Sequence, residues 1–539
     1  MPEPESKSEF KEPIKDQELL EKEEFRTKLS DVQLIAQIDE WEKESEDLYS
    51  KLKRVIEQNL QYYYGNQTDV ERIQGKNSKA VENRIFMATE TMIPIATSRP
   101  PDIVVEPGDQ DEQSQIDAQE LQDILGYHIQ RVNFQQLAER WARDIVLKRF
   151  GVFKVKWEKE IDDVGLEVID PRRIRIPRYG KTKDKLPFLI EELELSYDTS
   201  LSFFGKEKAE ELMKSGKKES DNKKRKKSFA IQECWTNDMV VWRSGNLLLK
   251  KSNNPYFDFK RPERNFFDAP QKPYVIKSLF ETEESIIGDT DYVQQMISVQ
   301  NNINIRKRQI ENISGRVANP NLLIDSDVMS EEEARQITNE EGQIIYGKDA
   351  ASGTKIRYEE PGNVPQYLFQ DLEFSRREFD NIWGVHSTTR GEREGRETLG
   401  GRQLLKEADL GRIDLLARQL ERAIDEIGEY WTQMIKMFYN DKRAFTLMGD
   451  EGVRFIQGFS SSKVGKVRPM VKPGSTLKED EFARRQFGLL LWQNKAIGIN
   501  TLYKMIKVSN IPEALRDFKE TFGQQNAGAA PPEGGMIPQ

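Results

Sequence analysis

Residues able to perform covalent, acid–base or metal chemistry are few and scattered in this chain of 539 residues. It has one cysteine, Cys234, and two histidines, His128 and His386, which lie far apart in the sequence. A structural zinc site needs four cysteine or histidine ligands, and a nucleophilic thiol needs a histidine beside it. A lone buried thiol and two structural or exposed imidazoles are the simpler interpretation. The sequence predicts no catalytic residue, no metal and no cofactor.

A phosphate-binding loop is also missing from the sequence. Gly180-Lys181-Thr182 resembles the end of the motif Gly-x-x-x-x-Gly-Lys-Ser/Thr, but Arg175 stands where its first glycine is required. The motif Gly-x-Gly-x-x-Gly does not occur. Aspartate and glutamate total 92, yet no spacing among them indicates a nuclease-type metal cluster. These patterns weigh against an enzyme.

Two basic stretches could contact an acidic partner such as DNA. Residues 214–227 are rich in lysine but contain no aromatic residue on which a base could stack, so a solvated loop is favoured. Arg306, Lys307 and Arg308 could line a DNA channel or pair with acids on an adjacent helix. The sequence leaves both alternatives open for these three residues.

The length predicts two or more lobes, and the composition favours an elongated protein with a large polar surface. Hydrophobic residues make up 37% of the chain and charged residues 32%. The net charge of −10 argues against tight wrapping of DNA, since phosphate neutralisation supplies most non-specific affinity. It is compatible with a channel through which DNA slides. No apolar run approaches 18 residues, so no membrane-spanning helix is predicted.

Hydrophobic periodicity predicts an α+β, helix-rich fold. The first 280 residues read as an α+β lobe, with strands expected over Val152–Trp157 and Gly165–Ile176. The helix expected over 283–316 has flanks rich in glutamine and asparagine, which suit a barrel of like helices or a water-filled lumen. A small αβ insert, a second helix, a charged glycine-bearing loop and a very long helix are predicted to follow it.

Local patterns accompany this order of elements. They include Tyr63-Tyr64-Gly65 after the first helix, Arg99-Pro100-Pro101-Asp102 after the second, and Trp383-Gly384-Val385 before the charged loop. Together the order and the patterns resemble the portal proteins of tailed bacteriophages, the head-to-tail connector subunits. The resemblance covers about residues 31–520, and it rests on order and spacing because the family has no catalytic signature.

The resemblance implies a subunit organised around a central channel. Its parts would be a wing, two stem helices, a clip, a tunnel loop, a spine helix and a crown. The expected boundaries are 1–30 for a disordered charged arm, 31–282 for the wing, 283–316 for the first stem helix, 317–365 for the clip, 366–384 for the second stem helix, 385–400 for the tunnel loop, 398–440 for the spine helix, 441–475 for a wing β segment, 476–522 for the crown helices and 523–539 for a disordered tail.

The resemblance also implies partners and a location. They are a ring of twelve copies at one capsid vertex of the virion, double-stranded DNA in the channel during packaging and ejection, the terminase packaging motor, a head–tail adaptor, and the major capsid and scaffolding proteins. Assembly would take place in the cytoplasm of the host bacterium, without a membrane.

Alternating charge on the expected tunnel loop suggests weak, reversible contacts with DNA. The charges belong to Arg390, Glu392, Arg393, Glu394 and Arg396. Since the acids partly cancel the attraction, replacing Glu392 and Glu394 by glutamine is expected to increase the grip and slow the DNA. Two other readings stay open: a DNA-packaging or replication enzyme, such as a nuclease or motor subunit, and a helical scaffold or adaptor protein without a pore.

Overall fold

The architecture is taken from a computed structural model of the chain. Among the described residues it has twelve α-helices and fourteen β-strands. The described residues are 30–67, 78–98, 101–158, 160–177, 186–215, 228–256, 272–281, 286–320, 322–324, 327–328, 330–335, 356–358, 362–385, 399–439, 443–449, 452–459, 468–471, 481–506 and 514–516.

Four helices and one short strand open the fold. They are α1 (Asp31–Tyr63), α2 (Arg84–Ala96), β1 (Ile103–Glu106), α3 (Glu112–Arg131) and α4 (Phe134–Leu147). Helix α1 begins at a capping box, in which the Ser30 hydroxyl accepts from the amide of Gln33 and the Gln33 side chain accepts from the amide of Ser30. Ser30 is thus the N-cap of α1.

A three-stranded antiparallel sheet follows, in the order β3-β2-β9. Its strands are β2 (Phe150–Glu158), β3 (Asp163–Ile169) and β9 (Tyr274–Ser278). Gly151 lies so close to Trp141 that an added Cβ would stand 2.5 Å from the indole nitrogen. Only glycine therefore lets α4 approach this central strand.

The second sheet has five antiparallel strands in sequential order. They are β4 (Ile174–Arg175), β5 (Leu189–Ser196), β6 (Ser228–Trp235), β7 (Met239–Ser244) and β8 (Leu247–Asn253), with helices α5 (Tyr197–Phe204) and α6 (Lys206–Ser215) inserted after β5. Lys154 on β2 joins the two sheets, because its ammonium lies 2.6 Å from both the Glu191 and the Glu233 carboxylates.

The expectation of one strand over Gly165–Ile176 is wrong. Strand β3 ends at Ile169, and Ile174 pairs with Glu191 in the other sheet. The cause is local, since Asp170 caps a 3₁₀ turn over Pro171–Arg173 by accepting from the amide of Arg172. Proline fits the first position of such a turn and cannot donate to a sheet.

Two long helices then enclose a small insert. Helix α7 (Tyr292–Ala318) is followed by β10 (Leu322–Ile324), α8 (Glu331–Ala334) and β11 (Ile356–Tyr358), and then by α9 (Gln366–Trp383). Strands β10 and β11 pair in antiparallel fashion. The helix expected over 283–316 begins only at Tyr292, because Asp291 caps it by accepting from the amide of Gln294, 2.8 Å away.

The longest helix, α10 (Leu399–Phe438), crosses the α+β lobe. Its apolar side chains form a buried stripe, and it packs against β9, α2, β2 and the last strand, β14 (Arg468–Val471). The remaining elements are β12 (Arg443–Gly449), β13 (Gly452–Phe459), β14 (Arg468–Val471), α11 (Glu481–Gln493) and α12 (Ile499–Met505). Strand β14 returns to pair with β1 in antiparallel register, with Ile103 opposite Val471.

The largest core lies between α10 and one face of the three-stranded sheet, while a second core fills the space between the two sheets. Strand β2 is buried on both faces from Phe150 to Phe153, where its residues do not alternate, and from Phe153 to Trp157 apolar residues alternate with lysines. The predicted α+β, helix-rich fold class is confirmed.

Candidate functional site

Helices α7 and α9 form an antiparallel pair held by an apolar seam. The ring of Tyr292 at the start of α7 stacks on Trp383 at the end of α9, with centroids 5.2 Å apart. Further along, Arg306 pairs with Asp371. Helix α9 ends at Gly384, whose φ of 82° is a left-handed conformation that favours glycine. The seam consists of Met296, Val299 and Ile303 on α7, and of Leu368, Leu372, Phe379 and Trp383 on α9.

A second face of α7 holds the extended segment 78–84, which we call the strap. Four polar side chains at every fourth position form hydrogen bonds with the backbone of the strap. Gln300 donates to the carbonyl of Glu82 and accepts from the amide of Arg84, and Asn304 accepts from the amide of Glu82. Further down, Arg308 donates to the carbonyl of Ala80, and Asn312 accepts from the amide of Ser78.

The Glu82 side chain joins the strap to both helices. Its carboxylate accepts from the Arg376 guanidinium at 2.8 and 2.5 Å, and it lies 3.8 Å from the Lys307 ammonium. Arg84 contacts it at 3.3 Å and forms a two-pronged pair with Asp380 on α9. Burial favours a higher pKa for Glu82, but hydrogen bonds from Arg376 and the charges of Lys307 and Arg84 outweigh it and lower the pKa.

The three basic residues singled out in the sequence all contact their own chain. Arg306 pairs with Asp371, Lys307 approaches Glu82, and Arg308 donates to Ala80. The alternative of pairing with acids of adjacent segments therefore describes Arg306 and Lys307. A channel-lining role for the three stays a prediction.

The glutamine and asparagine residues of α7 divide between two faces. Gln300 and Asn304 are 0% and 1% exposed, so these members do not face a lumen as expected but bind the strap. Gln294 and Asn301 contact α1, where Gln294 donates to Asn59 at 2.7 Å and the Tyr62 hydroxyl donates to Asn301 at 2.9 Å.

The outward face of α7 is polar and uncharged along most of its length. It carries Gln295, Ser298, Asn302 and Gln309, all exposed and spaced by three, four and seven residues. Arg306 lies at the edge of this face and is paired with Asp371, and the next charged residue on the face is Arg316, near the end of the helix. Such a face offers hydrogen bonds without fixed charge.

Other predicted contact residues lie outside the described residues. Among them are the five charged residues of the expected tunnel loop, Arg390, Glu392, Arg393, Glu394 and Arg396, because 386–398 are not described. Most of the lysine-rich stretch, 216–227, is outside as well, and helix α6 extends to Ser215 just before it.

His128 is buried beside Tyr439 and Asp163. The Tyr439 hydroxyl donates to Asp163 at 2.6 Å and lies 3.2 Å from Nε2 of His128. Burial lowers the pKa of His128 to about 4, although Asp163 opposes the shift. The imidazole is therefore neutral at pH 7, and this cluster joins the end of α10 to α3 and β3.

Cys234 lies in a separate small cluster with Ile38, Phe188, Ile190 and Val241, away from His128. Burial raises the pKa of its thiol to about 12. In the part of the chain that the structure describes, no group of three histidine, cysteine or acidic residues could hold a metal ion. There too, every helix is too short or too polar to cross a membrane.

A polar cleft of about 570 Å³ lies between α1 and the five-stranded sheet. Its most buried charge, Arg243, is 2% exposed and contacts Asp39, Glu42 and Gln232. Since this guanidinium is saturated by its own chain, it does not present an unpaired charge to a ligand.

Residues 290–473, about a third of the chain, match the model of the family described as phage P22-like portal protein. The matched range contains both α7 and α9, the insert between them, and α10. The resemblance to portal proteins is confirmed. The portal-like range begins two residues before α7 and ends two residues after β14, so it includes the helix pair but not the strap.

A solved structure is similar to the chain, the "Virion of native gene transfer agent (GTA) particle". Its TM-score is 0.39 at 10% identity, and the likeness covers 83% of this chain and 99% of that chain. Among curated proteins, none matches the chain.

Sequence reasoning missed the acids and the strap that surround the portal-like helix pair. Glu82, Asp371 and Asp380 have no special spacing among the 92 acids of the chain. A signal for the strap did exist, because Gln300, Asn304, Arg308 and Asn312 recur at every fourth residue next to the apolar stripe. That pattern indicates a polar partner held along one helix face.

Proposed function

We propose that the chain is a structural subunit of a phage portal, the ring-shaped channel at one capsid vertex through which DNA is packaged and ejected. The observation that carries the proposal is the portal family match over 290–473, which spans the helix pair. In the proposed ring α7 and α9 are the stem, the insert 317–365 is the clip, α10 is the spine and 31–282 form most of the wing.

The polar face of α7 supports a role in passing DNA. Duplex DNA binds tightly where lysine and arginine neutralise its phosphates. Gln295, Ser298, Asn302 and Gln309 offer no such charge. Arg306, at the edge of this face, is paired with Asp371. A channel lined by this face contacts phosphates through neutral hydrogen-bonding groups, so DNA slides past without being held in one register.

The remaining features of the proposal follow from the family. We propose twelve copies per ring, a clip that meets the terminase motor and later the head–tail adaptor, and a wing and crown that face the capsid and scaffolding proteins. Assembly takes place in the cytoplasm of the host bacterium, and the ring then becomes part of the virion. The charged residues of 385–400 contact the moving DNA as the tunnel loop.

The test is the mass and shape of the purified protein, by mass photometry and negative-stain imaging. A ring of twelve has a mass of about 752 kDa, twelve times the chain mass of 62.7 kDa, and a central hole. A ring with one subunit more or fewer agrees equally well. A compact dimer without a pore, or a monomer at every concentration and also with its capsid proteins present, would contradict the proposal.

A further inference from the structure

Helix α9 exposes two aromatic side chains on the side away from its buried seam. Tyr367 is 64% exposed and Phe374 67% exposed. They are seven residues apart, so they lie on the same face two turns from each other. Seven-residue spacing of apolar side chains is typical of a surface that packs against another helix.

Helix α7 exposes one large apolar side chain at the edge of its polar face. Ile305 is 46% exposed and points away from α9. Ile305 borders Ser298 and Asn302, which stay on the channel-lining face, so a contact at Ile305 leaves the polar face open.

Ile305 and Phe374 lie at nearly the same level along the helix pair. Contacts between Tyr292 and Trp383 and between Arg306 and Asp371 fix the two helices as antiparallel and set their register. Phe374 is three residues from Asp371 in the direction of Trp383, which places it beside residues 302–303 of α7. It is thus within one helical turn of the level of Ile305.

We propose that Phe374 of one subunit packs against Ile305 of the next subunit in the ring. Tyr367 belongs to the same contact, two turns away from Phe374 along α9. This rests on the ring of the proposed function. In a stem whose helices run along the channel, rotation about the ring axis moves a side chain from one subunit to the next without changing its level. Two different faces of one chain that meet in this way form a heterologous contact, which is the kind that closes a ring.

The area indicates that this contact is one part of a larger interface. An aromatic side chain buries roughly 150–250 Å². Tyr367, Phe374 and Ile305 together therefore bury roughly 300 Å² of the surface that they expose to solvent in the single chain. A standard interface buries about 800 Å² per partner. Loss of Phe374 therefore weakens the ring and does not abolish it.

The first test is oxidation of the double variant F374C/I305C in the full-length protein. Cys234 is buried and stays out of the reaction, so the variant has two reactive thiols per chain. Oxidation is expected to give a ladder of covalent multimers on a denaturing gel. Neither F374C nor I305C alone should give it, because the contact joins two different positions. The matched control is F369C/I305C, since Phe369 is also exposed but lies on another face of α9.

The second test compares F374A with F369A by the protein concentration at which half of the subunits are in rings. F374A is expected to raise that concentration roughly tenfold or more, and F369A to leave it unchanged. Wild-type rings without a ladder in F374C/I305C, together with an unchanged F374A, would overturn the contact and leave the ring standing. Absence of rings in the wild type would overturn the proposed function and this contact with it.

Discussion

Arg306 shows how a basic residue on a candidate channel helix is neutralised within its own chain. Its charge is paired with Asp371 on α9, and the neighbouring Lys307 faces the carboxylate of Glu82. A paired, part-exposed cation attracts phosphate far less than a free one, because the field of the acid cancels most of its own beyond a few ångströms. Counting arginines and lysines along a helix therefore overstates its affinity for DNA.

His128 is expected to make the protein less stable in mild acid. Its folded pKa of about 4 is below the unfolded value of 6.5, so the unfolded chain binds the proton more readily between those values. The contribution to stability is complete above pH 6.5 and is lost as the pH falls towards 4. It amounts to about 3 kcal/mol, from 1.36 kcal/mol per pKa unit.

The variant His128→Gln isolates this contribution. Urea unfolding of the two proteins at several values between pH 7 and pH 4 is the measurement. The wild type is expected to lose stability more steeply than the variant as the pH falls. Burial raises the pKa of Asp144 to about 6, which has the opposite effect on stability, but that residue is common to both proteins and cancels. Parallel pH profiles would show that His128 is not neutral in the fold.

At the scale of elements, Glu82 is expected to hold the strap and the helix pair together. The variant Glu82→Gln leaves Arg376, Arg84 and Lys307 facing a neutral amide in a part-buried site. Removing one partner of such a network costs about 1–3 kcal/mol, because the remaining charges lose compensation. Hydrogen exchange of the α9 backbone amides should become faster, and this is the measurement.

The control for Glu82 is an ion pair of the same kind at the surface. Lys51 and Asp47 are 2.9 Å apart, with side chains 66% and 59% exposed. An exposed pair contributes about 0–1 kcal/mol, so Asp47→Asn should leave α9 unaffected. Equal exchange rates in Glu82→Gln and in the wild type would mean that the apolar seam alone holds α9.

Some elements could be predicted to within two residues because their signals are local. Helix α9 was expected over 366–384 and spans Gln366–Trp383, since its apolar spacing and Gly384 mark both its face and its end. Helix α10 was expected over 398–440 and spans Leu399–Phe438 for the same reason. Ser30 marks the start of α1 through its own side chain.

Other features depend on contacts between distant parts of the chain. The pairing of β1 with β14 joins Ile103 to Val471, and neither short strand carries a signal that names its partner. In the same way, the polar residues of α7 indicate a hydrogen-bonded face, but the choice between a lumen and the strap depends on residues 78–84, more than 200 positions earlier. Composition alone cannot distinguish these two partners.

At the scale of the whole molecule, charge and apolar contact act in opposite directions on the proposed ring. Each chain has a net charge of −10, so neighbouring copies repel one another. The proposed contact of Phe374 with Ile305 is apolar and is not weakened when salt screens charges. Ring closure thus depends on local burial that outweighs a long-range repulsion.

The fraction of subunits in rings is therefore expected to increase with ionic strength. The Debye length falls from about 30 Å at 0.01 M salt to about 8 Å at 0.15 M, which screens repulsion between separate copies but leaves close apolar packing intact. Mass photometry across this range, at one protein concentration, is the measurement. F374A should show the same increase, displaced to higher salt, because it lacks part of the apolar contact and keeps the charge. A ring fraction that falls with salt would instead indicate that ion pairs between subunits hold the ring, and would contradict apolar burial as the main contribution to ring closure.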